Sequence, residues 1–229
     1  MSTPVTVLLQ WRARRAPSRK ALDHVAAVLS EQAHDLLVAW PRARHAMVTA
    51  DPAVASATPG LVWPVTVLEQ SSAGLGVHLD SHGHPYAEVS ATDDWTVTAS
   101  HELVEMLVDP LGRKVVAAPS VDPADRGATV RYLVEVADPV EAVTYDVDGV
   151  VLSDFVTPAW YAQTGLAPYS HTRAASKALR VLAGGYVSWI GLDGHWHQQQ
   201  PDGSFVRSSG QARLDGDLRA AKDAALGGD

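Results

Sequence analysis

The chain has no cysteine, which excludes disulfides, thiolate zinc sites and cysteine nucleophiles. It also lacks any apolar run near the ~18 residues a membrane span needs, so no membrane partner is expected. The first ten residues, Met1-Ser-Thr-Pro-Val-Thr-Val-Leu-Leu-Gln10, lack the basic start and long apolar core of a signal peptide. The expected location is the cytoplasm. Positive charge is scarce: 18 Lys and Arg against 26 Asp and Glu give a net charge of −8. That balance argues against general affinity for nucleic acid or anionic membrane. A local exception, Arg12, Arg14, Arg15, Arg19 and Lys20, reads as a solvated helix start. No Gly-x-Ser-x-Gly elbow occurs, and Gly74-x-Gly76 lacks the third glycine and the helix of a dinucleotide loop. No internal repeat is found.

What is present is globular: 46% hydrophobic and 19% charged residues over 229 positions. Val5 to Gln10 reads as a strand and Ser18 to Trp40 as an amphipathic helix. A loop from Thr49 to Gly60 leads to a short strand, Val65 to Glu69. Gly74–Leu79 and Pro85–Ser90 read as strands paired through the turn Asp80-Ser-His-Gly83. A helix follows from Trp95 to Val108, with Asp93 and Asp94 as N-cap residues and Asp109-Pro110 as its stop. Beyond a surface loop, Pro119 to Gly127, come a strand over Val130–Val136 and a hairpin over Thr144–Val156 around Asp148-Gly149. A further strand, Gly184–Ile190, leads into a turn-rich region at His195-Trp-His197. The pattern predicts an α+β domain, a mixed sheet with one buried helix, over residues 1–209. A polar C-terminal helix or exposed tail is expected over 210–229.

The helix carries the chemistry. In His101-Glu-Leu-Val-Glu105, at about 100° per residue, His101 and Glu105 point the same way one turn apart. Val97, Val104 and Val108 flank the pair, while Ala99, Leu103, Met106 and Leu107 cover the other side. A helix apolar nearly all round is buried. A buried imidazole and carboxylate then need compensation, which a metal ion supplies. Glu102 takes the place of the general base in H-E-x-x-H metallohydrolases. The competing reading puts Glu102 and Glu105 on a solvated face, with His101 satisfied by a backbone carbonyl.

Catalytic zinc usually has three protein ligands plus water. The best further donors are Glu135 and Asp138, with Asp154 as a third candidate. Four of the seven glutamates (102, 105, 135 and 141) fall within forty residues. Glu135 lies in an apolar run, where a carboxylate needs a partner. Such a donor set suits zinc, with manganese or iron as alternatives. His78, His82 and His84 have a spacing that could chelate a metal, but two of them fall in or beside the hairpin turn, so a solvated turn is the expected reading. His78, on its strand, is left as an alternative that could face the site. His195 and His197 are expected at the surface. His171, Tyr161 and Tyr186 are candidates to polarise a substrate carbonyl, with no spacing to select among them.

These residues resemble a family of zincin-like proteins of bacteria and phages that carry Ser-His-Glu-x-x-Glu and a short Asp-Pro ending. Here that run is Ala99-Ser-His-Glu-Leu-Val-Glu-Met-Leu-Val-Asp-Pro110. Similar segments are Gly74–His78, His84–Glu88, Tyr132–Asp138, Gly149–Trp160 and Gly184–Tyr186, with Ala137 where the family has cysteine. The resemblance spans roughly residues 60 to 190. It implies a zincin-like fold, His101 and Glu105 as metal ligands, Glu102 as base, and a strand at Tyr86–Ser90 lining a cleft for an extended peptide. The expected activity is metal-dependent hydrolysis of a peptide or amide bond, with one or both of Glu135 and Asp138 completing the metal site. The alternatives are a metal-dependent tailoring enzyme on a small molecule, and a non-catalytic module held together by its metal or ion pair.

Overall fold

Val5–Trp11 forms strand β1, whose residues from Val5 to Leu9 are buried on both faces, as a central strand of a parallel sheet must be. The computed structural model describes residues 4–162, 166–212 and 216–226. Helix α1 (Arg19–Ala39) opens on Ser18, whose hydroxyl accepts from the Ala21 N–H. It buries Val25, Val28, Leu29, Gln32 and Leu36, the stripe its sequence period predicts. The expected loop after it holds more structure. Strand β2 (Ala46–Thr49) precedes helix α2 (Pro52–Ala57), because Asp51-Pro52 supplies an N-cap carboxylate and a proline at the first turn.

Strand β3 (Leu61–Leu68) and the hairpin β4 (Gly76–Ser81) and β5 (His84–Ser90) complete a sheet of order β2-β1-β3-β5-β4. The first four run parallel and only β4 is antiparallel. The hairpin turns through His82 and Gly83, both at positive φ (56° and 85°), the backbone a two-residue turn of this hand requires. Helix α3 (Trp95–Val108) packs on this sheet with Ala99, Leu103, Val104, Met106 and Leu107 fully buried.

Next in the chain come β6 (Val115–Pro119) and β7 (Thr129–Leu133), then the hairpin β8 (Thr144–Val147) and β9 (Val150–Ser153). β9 lies along α3: the Ser153 N–H donates to Ser100 Oγ at 2.7 Å, and Thr96 Oγ1 donates to the Val151 carbonyl at 2.9 Å. Helix α4 (Pro158–Ala162), strands β10 (Val187–Ile190), β11 (His195–Gln199) and β12 (Phe205–Gln211), and helix α5 (Leu218–Leu226) follow. Strands β12-β11-β10-β7-β6 form a second, antiparallel sheet.

The fold is therefore α+β, with a mixed sheet, as expected. Its contacts divide the chain differently from the 1–209 and 210–229 of the sequence reading. One unit comprises residues 1–110 and 144–153, and the other 111–143 and 154–229. Of the expected tail, residues 213–215 and 227–229 lie outside the described residues, but α5 is no exposed tail. Leu218, Arg219 and Lys222 are buried, Leu218 against Leu133, Ile190 and Trp196. His195 and His197 lie in strand β11 and are partly buried around the buried Trp196. Among the described residues no helix is long and apolar enough to cross a membrane.

Candidate metal centre

In the first unit, α3 and β4 bring four ionisable side chains together. α3 supplies His101, Glu102 and Glu105, and β4 supplies His78 from a position paired with Ala87 of β5. His78 Nδ1 lies 3.2 Å from Glu102 Oε2 and 3.6 Å from Glu105 Oε2. The other Glu105 oxygen, Oε1, lies 3.7 Å from His101 Nε2. The order is thus His101, Glu105, His78, Glu102, imidazole and carboxylate alternating. His78, Glu102 and Glu105 are 1%, 7% and 3% exposed, so the reading that put the glutamates on a solvated face is overturned.

The approach of β4 to α3 depends on Gly76. A Cβ there would sit 2.8 Å from Glu102 Oε1 and closer still to the Thr98 side chain. Glycine lets the backbone touch the Glu102 carboxylate from one side, while His78, two residues on, holds it from the other. An ionised carboxylate only accepts hydrogen bonds. With Glu102 ionised, Nδ1 of His78 is the donor in the 3.2 Å contact.

Two buried carboxylates meeting at one imidazole repel each other and have both lost solvent. Cationic imidazoles or a divalent cation would offset this. Single donor atoms of His78, Glu102 and Glu105 all lie within 4.8 Å of one another. Imidazole nitrogen with carboxylate oxygen is a ligand set for zinc, manganese or iron, so the donors present fit such an ion.

The other expected ligands lie in the second unit. Glu135 falls two residues past the end of β7 and is no strand residue. It has its partner: Arg219 Nε donates to Oε1 at 2.9 Å and Lys222 Nζ to Oε2 at 3.2 Å, all three side chains being 6% exposed. Its role as metal ligand gives way to an ion pair with two cations. Burial pushes the Glu135 carboxyl up, and Lys222 and Arg219 oppose that shift. Burial alone would lower the Lys222 ammonium, yet Glu135 and Asp223 raise it above its ordinary value. Asp154, fully buried, accepts from the Phe155 and Thr172 N–H groups and from Thr172 Oγ1 at 2.6 Å. Those three donors tie the carboxylate into the turn. Asp138 opens a one-turn 3-10 helix, with its carbonyl accepting from the Tyr186 N–H. Tyr161 donates its hydroxyl to the Glu135 carbonyl at 3.2 Å, and His171 stacks on Phe155.

The expected cleft strand is also corrected. β5 is paired by β3 on one side and β4 on the other, so Tyr86–Ser90 has no open edge. β4 stands at the edge of the sheet instead. Sequence reasoning gave no weight to Arg219 and Lys222. Their only signal was a pair of cations three residues apart, beginning one position after an apolar leucine, in a segment otherwise rich in exposed charge.

No family model, curated protein or solved structure matches this chain. The functional reading rests on the residues themselves.

Proposed function

We propose that the protein is a zincin-like metal-dependent hydrolase of peptide or amide bonds, with its centre at His101, Glu102, Glu105 and His78. One observation carries the reading: a buried imidazole on β4 closes on the two carboxylates of an H-E-x-x-E helix. His101 and Glu105, one turn apart, would hold the ion. A divalent metal bound there would lower the pKa of a water toward ~7 and polarise a carbonyl. Glu102 takes the proton from the attacking water and passes it to the leaving nitrogen. His78 is the positioning residue. Its Nδ1–H fixes the Glu102 carboxylate, as outer partners orient the groups around a metal. The open edge of β4 offers main-chain hydrogen bonds to an extended substrate.

The proximity of the His78, Glu102 and Glu105 donors also favours a second reading, in which Glu102 is itself a ligand and the cluster only clasps β4 to α3. Glu102→Gln separates the two. As a base, it leaves the metal content measured by mass spectrometry unchanged and lowers hydrolysis of a peptide and amide library at least 100-fold. As a ligand, it loses the metal. Protein that rejects zinc, manganese and iron in every form overturns the hydrolase reading.

A further inference from the structure

We infer that the first unit binds a nucleotide, a phosphate joined to a hydroxylated flat-ring compound, in the cleft at the carboxyl ends of β1, β3 and β5. This cleft of about 650 Å³ is lined by Trp11, Arg14, Arg15, Glu69, Asp93 and Trp95, among others, a size within the ~300–1,000 Å³ of small-molecule sites. None of its lining residues belongs to the metal centre.

Topology puts it where ligands collect. The strand order β2-β1-β3 reverses direction at β1, and in open parallel sheets the crevice beyond the carboxyl ends at such a reversal is the usual ligand site. The segments after β1, β3 and β5 each contribute a wall. The first two are tied by the Arg12 N–H donating to the Val67 carbonyl at 2.8 Å and the Arg14 N–H donating to Glu69 Oε2 at 3.0 Å, and the last two by the Ala91 N–H donating to the Leu68 carbonyl at 2.8 Å.

The lining defines the ligand. Of the basic cluster near the N-terminus, Arg19 is held by Asp23 and Asp51 at 2.8 and 3.2 Å. Arg14 and Arg15 line the rim of the cleft, Arg14 with its Nε 4.0 Å from Glu69 Oε2 and its side chain largely in solvent, and guanidiniums so placed suit phosphate. The 14-residue helix α3 begins at the same place, and Asp94 at its N-cap makes no side-chain capping hydrogen bond. Its N-terminal end adds a favourable field for an anion. Trp11 and Trp95, both half-buried, meet edge to face at 5.3 Å and present indole surface for a flat ring. Glu69 and Asp93 can only accept hydrogen bonds, which suits sugar hydroxyls. Two guanidiniums and two carboxylates on one rim nearly cancel, so a bare anion gains little there. The ring and hydroxyls must contribute as well.

Isothermal titration calorimetry with AMP, adenosine and inorganic phosphate, in EDTA to keep metal out of the reading, tests this. AMP is expected to bind saturably, with adenosine and phosphate each at least tenfold weaker. The double substitution R14A/R15A removes two exposed side chains, so the melting temperature should stay unchanged while AMP affinity falls at least tenfold. Absence of saturable AMP binding, equal binding of phosphate, or wild-type affinity in the folded double variant would each overturn the inference. None of these outcomes bears on the metal content that tests the hydrolase reading.

Discussion

Glu135 stands among apolar neighbours, Tyr132-Leu-Val-Glu-Val-Ala-Asp138, and a carboxylate placed there must find a cation when buried. Arg219 and Lys222 answer that need from 84 and 87 residues away. Removing one member of a buried charge network leaves the others unpaired at low dielectric, a cost of about 3–5 kcal/mol. Glu135→Gln is therefore expected to destabilise the protein by about that much in urea unfolding, and a loss below about 1 kcal/mol would mean that the pair is not desolvated. His78 makes the complementary point. Its burial beside Glu102 follows from a strand position that the sequence indicated, but the 3.2 Å contact required the register of β4 on β5 and a glycine at position 76.

At the scale of elements, the sequence was most legible where one period governs a segment. The α1 stripe, the buried α3 and the two short hairpin turns all came out where the patterns put them, because local geometry alone selects which side chains share a face. The second sheet was read less well. β6 and β12 carry little alternation that separates them from loops, and β11 begins with two histidines around a tryptophan. The connection from β10 to β11 is held by Asp193, which accepts from the His195 N–H at 3.0 Å, the His197 ring at 3.1 Å and Arg207 Nε at 2.6 Å. Burial by itself would raise that carboxyl, but these three donors hold it well below its ordinary value. A carboxyl depressed in the native state stabilises above its unfolded pKa, ~3.9, and loses that contribution as pH falls through the native pKa. Between pH 5 and pH 2 the melting temperature of Asp193→Asn should accordingly fall less steeply than that of the wild type. Parallel curves would show that Asp193 contributes nothing through its charge.

For the whole molecule, the net charge of −8 and the small basic cluster act in opposite directions. A long polyanion meets the overall field, whereas a mononucleotide meets only the local one around Arg14 and Arg15. Duplex DNA at ~0.15 M salt is expected to show no shift on a gel at micromolar protein, under conditions where AMP still binds. A stable DNA complex would refute the charge argument. Composition and spacing alone determined that no thiol chemistry operates here, that the chain folds as α+β, and that His101, Glu102 and Glu105 share a buried helix. These follow from which groups exist and from the fixed geometry of a helix turn. The tertiary structure alone decided that His78 meets the two glutamates, that Glu135 belongs to Arg219 and Lys222, and that Arg14 and Arg15 face a cleft with Trp11 and Trp95. Contacts between residues 24 to 87 positions apart depend on strand order, register and close packing. Those arise only when the sheets and helices close on one another, and no local periodicity encodes them.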